Sequence, residues 1–365
     1  FAGAWVLIEV LRTYLFTGFP WLLLGSAHVD SPLAPLAPVG GVLLLTLVTA
    51  LTGTLGVEFL RRRWWAGGTI AALWLFPLML PTQWTIPSKE PVQVSLLQGN
   101  LPQLSKWTNE GQRNAVSTYA RLTRNIAEDI DLVIWPETAI PMYQRQAEPL
   151  LERVKATLPS GAELLTGIVQ RDDSGRYYNA VVGAGEVTDV YRKSHLVPFG
   201  EYIPMEKQLR GIIAFFDLPM SDFTAGNSEQ GPIRAAGLRI GTAICYEIIF
   251  PDLVAQRADN AEVLLTVSND TWFGDSIGPL QHLQMARLRA LENGRYVMRA
   301  TNNGVTAIID PQGRIIDRAT QFRMTTLNGE IRAMRGETPF TRTGSWPTWL
   351  LSAALVISGV RRRNS

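Results

Sequence analysis

A thiol, two carboxylates and an ammonium follow short apolar runs of this chain. Cys245, the only cysteine among 365 residues, ends "LRIGTAIC", and Glu137 follows "DLVIWP". Lys193 and Glu201 share the stretch "YRKSHLVPFGEYIP". A thiol is a weak nucleophile until it loses its proton, and Glu137 can accept that proton. Lys193 and the backbone N–H after the cysteine can hold the oxyanion of a tetrahedral intermediate. The residue types therefore predict nucleophilic catalysis by Cys245.

Each of these residues also has a simpler interpretation. A buried cysteine usually packs as a small hydrophobe. Glu137 can be a surface residue after a proline, and Lys193 and Glu201 can be solvated loop charges. Spacing alone does not show that the four side chains converge.

The elements that must position these residues are strands of an α/β sheet. "DLVIWPE", "LRIGTAIC" and "AEVLLTVSND" are short buried strands, and they end in Glu137, Cys245 and Asn269-Asp270. Ligands of α/β sheets bind outside the carboxyl ends of the strands. We therefore expect the polar side chains to converge at one sheet edge.

Helical segments alternate with these strands. Residues 111–129 have apolar side chains at helical spacing. The segment 280–297 contains a second helix, which is expected to end near Gly294. Hairpins are expected around residues 173–175 and 311–313, where turn residues separate apolar runs. This alternation predicts a layered α/β domain.

The hydropathy of the chain is segregated. Residues 39–57, 64–88 and 343–360 contain no charge, and each is long enough to cross a hydrocarbon core of about 30 Å. A fourth candidate, residues 1–29, is interrupted by Glu9 and Arg12, whose spacing allows pairing within a helix bundle. The chain starts at an apolar residue other than methionine, and we interpret it as lacking earlier spans.

Basic residues predict the orientation. Arginines at 61–63 and 361–363 flank the spans, and the positive-inside rule places both clusters in the cytoplasm. We expect transmembrane helices over residues 1–88, an extracytoplasmic catalytic domain over 89–342, and a last transmembrane helix with a basic tail over 343–365. A lone cysteine in an oxidising compartment cannot form an internal disulfide, which favours a chemical role.

Other classes of function lack support in the sequence. The net charge of +2 gives no basic field for nucleic acid, and there is no G-x-S-x-G, H-E-x-x-H or P-loop motif. His28, His195 and His282 lie in unrelated contexts, so we expect no metal site. The arginines at 287, 289, 295 and 299 are interpreted as a solvated helix face.

Three motifs resemble the signatures of the nitrilase, or carbon–nitrogen hydrolase, superfamily: "DLVIWPET", "YRKSHLVPFGEYIP" and "ICYEIIFPD". The resemblance implies an α-β-β-α sandwich, here inserted between transmembrane α-helices. It also implies a triad of Glu137 as general base, Lys193 as oxyanion holder and Cys245 as nucleophile, with Glu201 in support.

The spans and the strings "WPETAIP", "VPFGEYIP" and "SNDTWFG" are similar to the apolipoprotein N-acyltransferase branch of that superfamily. This resemblance implies acyl transfer from a phospholipid, expected to be phosphatidylethanolamine, to the α-amino group of the diacylglyceryl-cysteine of an apolipoprotein. A Cys thioester would carry the acyl chain, without a cofactor or metal. We expect a multi-pass monomer of the bacterial inner membrane, with its catalytic domain on the periplasmic side.

Water must be kept away from such a thioester. Apolar side chains flank the motifs, Trp107 matches a mobile-loop tryptophan of the family, and Tyr246 and Glu247 match positions beside the nucleophile. The resulting candidates for substrate binding are Trp107, Met142, Tyr143, Tyr246, Glu247, Asn269, Trp272 and Phe273.

Residues 203–223 are predicted to form an arm that dips into the bilayer. Lys207 and Arg210 can meet lipid headgroups, and the arm would shelter an acyl chain on its way to Cys245. The alternative is that the segment caps the core of the soluble domain. The apolar cluster comprises Ile212, Ile213, Phe215 and Phe216.

Two other functions are open at this point. A membrane-tethered amidase or nitrilase acting on a small amide would share the triad but would not need a lipid entrance. A lipoprotein-binding module with a vestigial site is disfavoured by the complete set of Glu137, Lys193 and Cys245.

Overall fold

The computed structural model describes residues 1–103, 105–184, 187–203 and 223–364. Its α-helices, numbered in chain order, are α1 (Ala2–Tyr14), α2 (Ala37–Leu60), α3 (Trp65–Leu75), α4 (Asn109–Arg124), α5 (Gln144–Lys155), α6 (Pro251–Ala258), α7 (Gly278–Asn293), α8 (Pro339–Thr343) and α9 (Trp346–Asn364). Short 3₁₀ helices cover Leu15–Thr17, Leu24–His28, Ala34–Leu36, Phe76–Met79, Cys245–Ile249 and Asp270–Phe273.

Two large sheets form the centre of the part of the chain that the structure describes. The seven-stranded sheet contains β2 (Val92–Gln98), β3 (Leu132–Ile134), β4 (Ile140–Tyr143), β5 (Glu163–Arg171), β6 (Tyr177–Ala184), β7 (Val190–Arg192) and β14 (Thr325–Ile331). The six-stranded sheet contains β8 (Ile233–Ala235), β9 (Leu238–Ile244), β10 (Val263–Ser268), β11 (Val297–Thr301), β12 (Ala307–Ile309) and β13 (Ile315–Arg318). A separate pair joins β1 (Ile86–Pro87) to β15 (Met334–Arg335).

The strand orders place the segment of Glu137 near the middle of one sheet and that of Lys193 at its edge strand, β7. One sheet runs β14-β2-β3-β5-β6-β7 with β4 on β5, and the other runs β13-β12-β11-β10-β9-β8. Strands β2, β3 and β5 are parallel, as are β9, β10 and β11. Strands β3 and β10 are buried along their whole length, which explains why their sequences read as continuous apolar runs.

The layers follow from three apolar clusters. Leu96 and Ile134 of one sheet pack with Ile244 and Val267 of the other between the two sheets. A second cluster joins the outer face of the seven-stranded sheet to α4 and α5, and a third joins the outer face of the six-stranded sheet to α6 and α7. This is the α-β-β-α sandwich that the sequence predicted.

Local signals set the helix ends. Thr108 accepts a hydrogen bond from Gly111 N–H (3.0 Å) at the start of α4, and basic residues lie in the last turn. Helix α7 ends at Gly294, whose φ of 60° is left-handed, as its sequence indicated. Helix α5 was not predicted, and it contains Pro149.

The apolar helices pack together beside the sandwich. Val6, Leu43 and Leu47 lie in one cluster with Leu288 and Leu291 of α7. Within the described residues, one helical stretch, Ala34–Leu60, is long and apolar enough to cross a membrane, and Trp65–Met79 is apolar but shorter.

The segment 1–29, a candidate span in the sequence, is not one continuous helix. Helix α1 ends at Tyr14, and positive φ angles follow at Phe16 and Thr17. Glu9 lies 3.9 Å from Arg12 but is held mainly by hydrogen bonds from Leu24 N–H and the Thr46 hydroxyl, both 2.8 Å long. These contacts fix the irregular chain that follows α1 against α2.

Helix α2 is interrupted near its start at Gly40 and Gly41, and residues of the sandwich contact the interruption. Gly41 has a φ of 68°, and a Cβ there would lie 2.3 Å from the Phe340 ring. Val42 N–H consequently has no helical partner and donates to Glu292 Oε1 of α7 at 2.8 Å. Burial raises the pKa of Glu292 to about 7, and the Arg289 guanidinium opposes this shift.

Candidate active site

Cys245 lies on a strained turn between β9 and a short 3₁₀ helix. Its φ is 51°, a left-handed value that costs a non-glycine residue about 1–3 kcal/mol. The thiol is half-buried, and the Ser268 hydroxyl oxygen lies 3.5 Å from Sγ. The turn lifts the thiol out of the strand direction at the carboxyl end of β9.

The resting thiol is protonated. Burial raises the pKa of Cys245, and the negative charge of Glu137 raises it further, while Lys193 only partly opposes the shift. Because a thiol is not a nucleophile in this form, the site needs a group that takes its proton as the reaction begins.

Lys193 is buried against two carboxylates. Its Nζ donates to Glu201 Oε1 at 2.8 Å and lies 3.6 Å from Glu137 Oε1. Burial by itself lowers the pKa of Lys193, but the charges of Glu201, Glu137 and Cys245 outweigh it, and the pKa is raised. Lys193 is therefore an ammonium in the resting site and cannot serve as the base.

Glu137 is held in place by two hydrogen-bond donors from opposite sheets. Asn179 Nδ2 on β6 donates to Glu137 Oε1 at 2.8 Å and to Glu201 Oε1 at 3.0 Å. The backbone N–H of Asn269, after β10, donates to Glu137 Oε2 at 2.8 Å. Sequence reasoning missed Asn179, because a buried asparagine in the middle of a strand is its only signal.

The predicted convergence occurs, but not at the edge of one sheet. Glu137 follows β3 and Lys193 follows β7 of the seven-stranded sheet, whereas Cys245 and Asn269 follow β9 and β10 of the six-stranded sheet. The site lies where the two sheets face each other, so each sheet contributes part of the chemistry.

Glu247 lies beneath the nucleophile turn. It accepts hydrogen bonds from the Tyr191 hydroxyl (2.9 Å), from Ser194 N–H and hydroxyl (both 2.8 Å), from His195 N–H (3.0 Å) and from Ile244 N–H (2.7 Å). The residue is fully buried. Glu247 thus ties the turn that carries Cys245 to the segment that carries Lys193.

The loop before α4 brings a second buried lysine to the site. Lys106 is 3% exposed, and burial lowers its pKa to about 8, although the charge of Glu137 acts in the opposite sense. Trp107 beside it is half-buried, and its Nε1 has no hydrogen-bond partner among the residues that the structure describes. Sequence reasoning found Trp107 but not Lys106.

Comparisons with known proteins agree with this geometry. The model of the carbon–nitrogen hydrolase family matches residues 93–340, and the model of the apolipoprotein N-acyltransferase N-terminal domain matches residues 1–55. The apolipoprotein N-acyltransferase of Azotobacter vinelandii is 45% identical over 100% of this chain and 73% of its own length. The chain belongs to the apolipoprotein N-acyltransferase family.

Further relatives agree with this assignment. The apolipoprotein N-acyltransferase of Pseudomonas aeruginosa PAO1 is 44% identical over 98% of this chain and 72% of its own length. Among solved structures, a carbon–nitrogen hydrolase superfamily protein of Xanthomonas campestris has a TM-score of 0.51 at 21% identity, covering 67% of this chain and 92% of its own. A nitrilase-superfamily protein of Saccharomyces cerevisiae has a TM-score of 0.50 at 21% identity, covering 68% and 93%. These two structures share the nitrilase fold.

Members of the apolipoprotein N-acyltransferase family are enzymes, and this chain is an N-acyltransferase. Aromatic residues lie beside its thiol. The Tyr246 hydroxyl donates to the carbonyl of Gly18 at 2.8 Å, and its ring stacks with Phe19. Tyr246 also lines an apolar groove of about 450 Å³ with Arg12, Leu15, Phe16, Gly18, Phe19, Val197 and Pro198. The groove connects the end of α1 with the residue that follows the nucleophile.

The other substrate-binding candidates differ in exposure and in the part of the fold where they lie. Phe273 packs on Trp21 with ring centroids 5.3 Å apart, and Trp272 is 64% exposed. Met142 packs in the layer of α4 and α5, and Tyr143 stacks on Tyr177 at 5.5 Å. Met142 therefore lies with the outer helical layer, whereas Cys245 packs against the cluster between the sheets.

The interpretation as a solvated face is wrong for Arg289, Arg295 and Arg299, whereas Arg287 is half-buried and pairs with Asp30. Arg289 is buried and ion-paired with Glu292 at 2.8 Å, and Arg295 donates to the carbonyls of Ala261 and Gly336. Arg299 is fully buried. Helical spacing alone could not show this, because α7 is covered on one side by its sheet and on the other by α2.

Two remaining expectations concern a metal site and the predicted membrane arm. Among the described residues, no group of three or more histidine, cysteine or acidic side chains is arranged to hold a metal ion. Residues 204–222 of the predicted membrane arm lie outside the described residues, and with them Ile212, Ile213, Phe215 and Phe216.

Proposed function

We propose that this chain transfers an acyl chain from a phospholipid to the α-amino group of the diacylglyceryl-cysteine of a bacterial apolipoprotein. The donor is proposed to be phosphatidylethanolamine, and the reaction is ping-pong through a thioester on Cys245. One observation carries the mechanism: Lys193 lies within 3.6 Å of Glu137 and keeps its charge, beside a thiol whose pKa is raised.

In the first half-reaction, Glu137 takes the proton of Cys245 as Sγ attacks the ester carbonyl carbon of the phospholipid. Lys193 Nζ and the Tyr246 N–H hold the oxyanion of the tetrahedral intermediate. The intermediate collapses with breakage of the ester C–O bond. Glu137 returns its proton to the leaving alkoxide, and a lysophospholipid departs.

In the second half-reaction, the α-amino group of the acceptor attacks the thioester carbonyl. Glu137 takes a proton from the attacking nitrogen, and the same two donors hold the new oxyanion. Breakage of the C–S bond forms the amide, and the sulfur recovers its proton from Glu137. No redox step or external reagent is needed.

The remaining polar residues act on this machinery indirectly. Glu201 and Asn179 hold Lys193 and Glu137 at their distances. Glu247 is proposed to fix the nucleophile turn from below rather than to touch substrate, because its oxygens are occupied by protein donors. Asn269 contributes through its backbone N–H.

Lipid access is proposed through the apolar helices. Several of their large side chains are exposed, which is typical of surfaces that contact membrane or protein; examples are Ile8, Leu11, Leu60, Trp64, Leu75, Met79, Leu350 and Ile357. We propose a multi-pass monomer of the inner membrane, with residues 89–342 on the periplasmic side. The arm over 203–223 belongs to this proposal on the basis of sequence.

A direct experiment tests the acyl transfer. The protein is incubated in mixed micelles with phosphatidylethanolamine labelled in its acyl chain, with Cys245→Ala as the matched control. The proposal predicts a label on Cys245 that neutral hydroxylamine releases and that a diacylglyceryl-cysteine peptide also removes. Ammonia release from small amides without any lipid-derived label would instead indicate an amidase.

Sidedness has its own test. A membrane-impermeant protease applied from the periplasmic side of spheroplasts should cleave within residues 89–342. A lysine- or arginine-directed probe should not reach the arginines at 61–63 from that side. The reverse pattern would refute the orientation.

A further inference from the structure

We propose that His282 is a positioning residue that fixes the oxyanion-binding peptide of the nucleophile turn. This inference rests on the proposed function, because it concerns the backbone N–H that holds the oxyanion. His282 lies on α7 and is 1% exposed, and its Nε2 is 3.1 Å from the carbonyl oxygen of Cys245.

The direction of this hydrogen bond is settled by chemistry. A carbonyl oxygen accepts and never donates, so Nε2 must carry the proton. A trans peptide group is planar, and its C=O and N–H point in opposite directions. Holding the oxygen of Cys245 towards α7 therefore turns the N–H of Tyr246 away from α7, on the opposite side of the peptide.

The imidazole is itself held by a buried ion pair. Arg299 Nη2 donates to Asp270 Oδ2 at 2.6 Å and lies 3.2 Å from His282 Nδ1. Asp270 Oδ1 lies 3.1 Å from the same Nδ1. Burial lowers the pKa of His282, and the Arg299 guanidinium lowers it further, whereas the Asp270 carboxylate opposes the shift. Nε2 carries its proton in the Nε2–H tautomer and in the imidazolium alike, so the bond to the Cys245 carbonyl does not depend on the charge of the ring.

The cluster of His282, Asp270 and Arg299 also contacts the thiol, through Ser268. The Ser268 hydroxyl donates to Asp270 Oδ1 at 2.5 Å, and its oxygen lies 3.5 Å from Cys245 Sγ. The cluster thus contacts both the carbonyl and the side chain of the nucleophile.

The turn needs such a contact because its backbone is strained. Cys245 has a φ of 51°, and a non-glycine residue keeps such a value only where its surroundings over-determine it. On the strand side, Glu247 Oε2 accepts from Ile244 N–H at 2.7 Å. On the helix side, His282 holds the carbonyl. Without the His282 hydrogen bond, the plane of the peptide between residues 245 and 246 can turn, and the Tyr246 N–H no longer points at the oxyanion.

The test compares two reactions of the same thiol. Alkylation by iodoacetamide needs the thiolate but no oxyanion donor, whereas acylation by phospholipid needs both. The variants are His282→Leu, which removes the donor, and His282→Gln, whose amide N–H can take the place of Nε2. Glu292→Gln on the same helix is the control, since it alters a buried group about 15 Å further along α7.

We expect His282→Leu to slow acylation on the order of 10²-fold, the size found when an oxyanion donor is lost. Its KM for phospholipid and its alkylation rate should stay near those of the unchanged protein. His282→Gln should recover most of the acylation rate, and Glu292→Gln should match the unchanged protein in both reactions. If His282→Leu does not fold, His282→Phe keeps the ring contacts with Trp21 and Phe273 and lacks the donor.

Two results would overturn the inference: acylation at the unchanged rate in the variant without a donor, or an equal loss in alkylation and acylation. A His282→Gln variant as slow as His282→Leu would also overturn it. None of these outcomes touches the proposed function, which fails separately if the unchanged protein forms no thioester on Cys245.

Discussion

Replacing Lys193 with methionine removes the ammonium that lies between Glu137 and Glu201. The side chain is 1% exposed and lies 2.8 Å from Glu201 Oε1 and 3.6 Å from Glu137 Oε1. Methionine fills a similar volume, so the main change is electrostatic. Two consequences follow, and they can be measured separately.

The first consequence is the loss of an oxyanion donor, which should slow acylation on the order of 10²–10³-fold. The second is repulsion between two carboxylates that now share no cation. One Asn179 nitrogen bonds an oxygen of each, so these two oxygens are at most about 6 Å apart, and at an effective dielectric constant of about 20 the repulsion is about 3 kcal/mol or more. That energy favours uptake of one proton by the pair by roughly 10²-fold. A protonated Glu137 cannot act as the base.

A double variant separates the two consequences. Lys193→Met/Glu201→Gln removes one carboxylate charge and with it the repulsion, but it restores no oxyanion donor. We expect Lys193→Met to react slowly with both iodoacetamide and labelled phospholipid at pH 7. The double variant should recover part of the alkylation rate, whereas its acylation should stay on the order of 10²–10³-fold below that of Glu201→Gln, which serves as the reference.

The reasoning is refuted if acylation in the double variant returns to the rate of Glu201→Gln, since Lys193 would then act only as a counter-ion. It is also refuted if Lys193→Met acylates at close to the unchanged rate. Melting temperatures in detergent should accompany both assays, because a broken buried ion pair costs about 3–5 kcal/mol.

Three further predictions concern other buried charges. Glu137→Gln should slow iodoacetamide labelling of Cys245 while leaving the melting temperature nearly unchanged; labelling at the unchanged rate would mean that the base lies elsewhere. Glu247→Leu leaves several buried N–H and O–H donors without an acceptor, so we expect a loss of about 3 kcal/mol or more in unfolding free energy; a stable, fully active variant would contradict the role of Glu247 in tying the Cys245 turn to the Lys193 segment. Burial lowers the pKa of Lys106 to about 8, so the unfolded state binds this proton more tightly than the folded state does. The contribution of Lys106 to the free energy of unfolding therefore rises by up to about 3 kcal/mol as the pH increases from about 8 to above about 10. Lys106→Met should abolish that rise in a comparison of melting temperatures across this range, and an identical pH dependence in both proteins would contradict it.

The sequence predicted the local features of the sandwich well. The strands ending at Ile134, Ile244 and Ser268 were predicted from apolar runs, and the end of α7 was predicted from Gly294. Such features depend on neighbours in the sequence, since period, capping and turn residues act within a few positions. Segment 1–29 was predicted less well, because hydropathy does not reveal the irregular backbone after Tyr14.

Partners of buried polar groups could not be predicted in this way. Asn179 was unremarked in its strand, His282 was discounted as a metal ligand, and Arg299 was assigned to a solvated face. In the structure, Asn179 joins the two glutamates, and His282 holds the carbonyl of Cys245 with Arg299 behind it. These contacts join residues of different helices and strands. The sequence around one partner does not indicate which distant residue the other partner is.

By itself, the sequence determined which residues can do the chemistry and which short elements end in them. The motifs around Glu137, Lys193 and Cys245 predicted a base, a cation and a nucleophile. Only the tertiary structure decided that the thiol and the carboxylates come from two facing sheets, and which buried groups hold them. The physical reason is that residue type and local period set a segment's own conformation, whereas distances of about 3 Å between charged groups are set by packing between segments far apart in the chain.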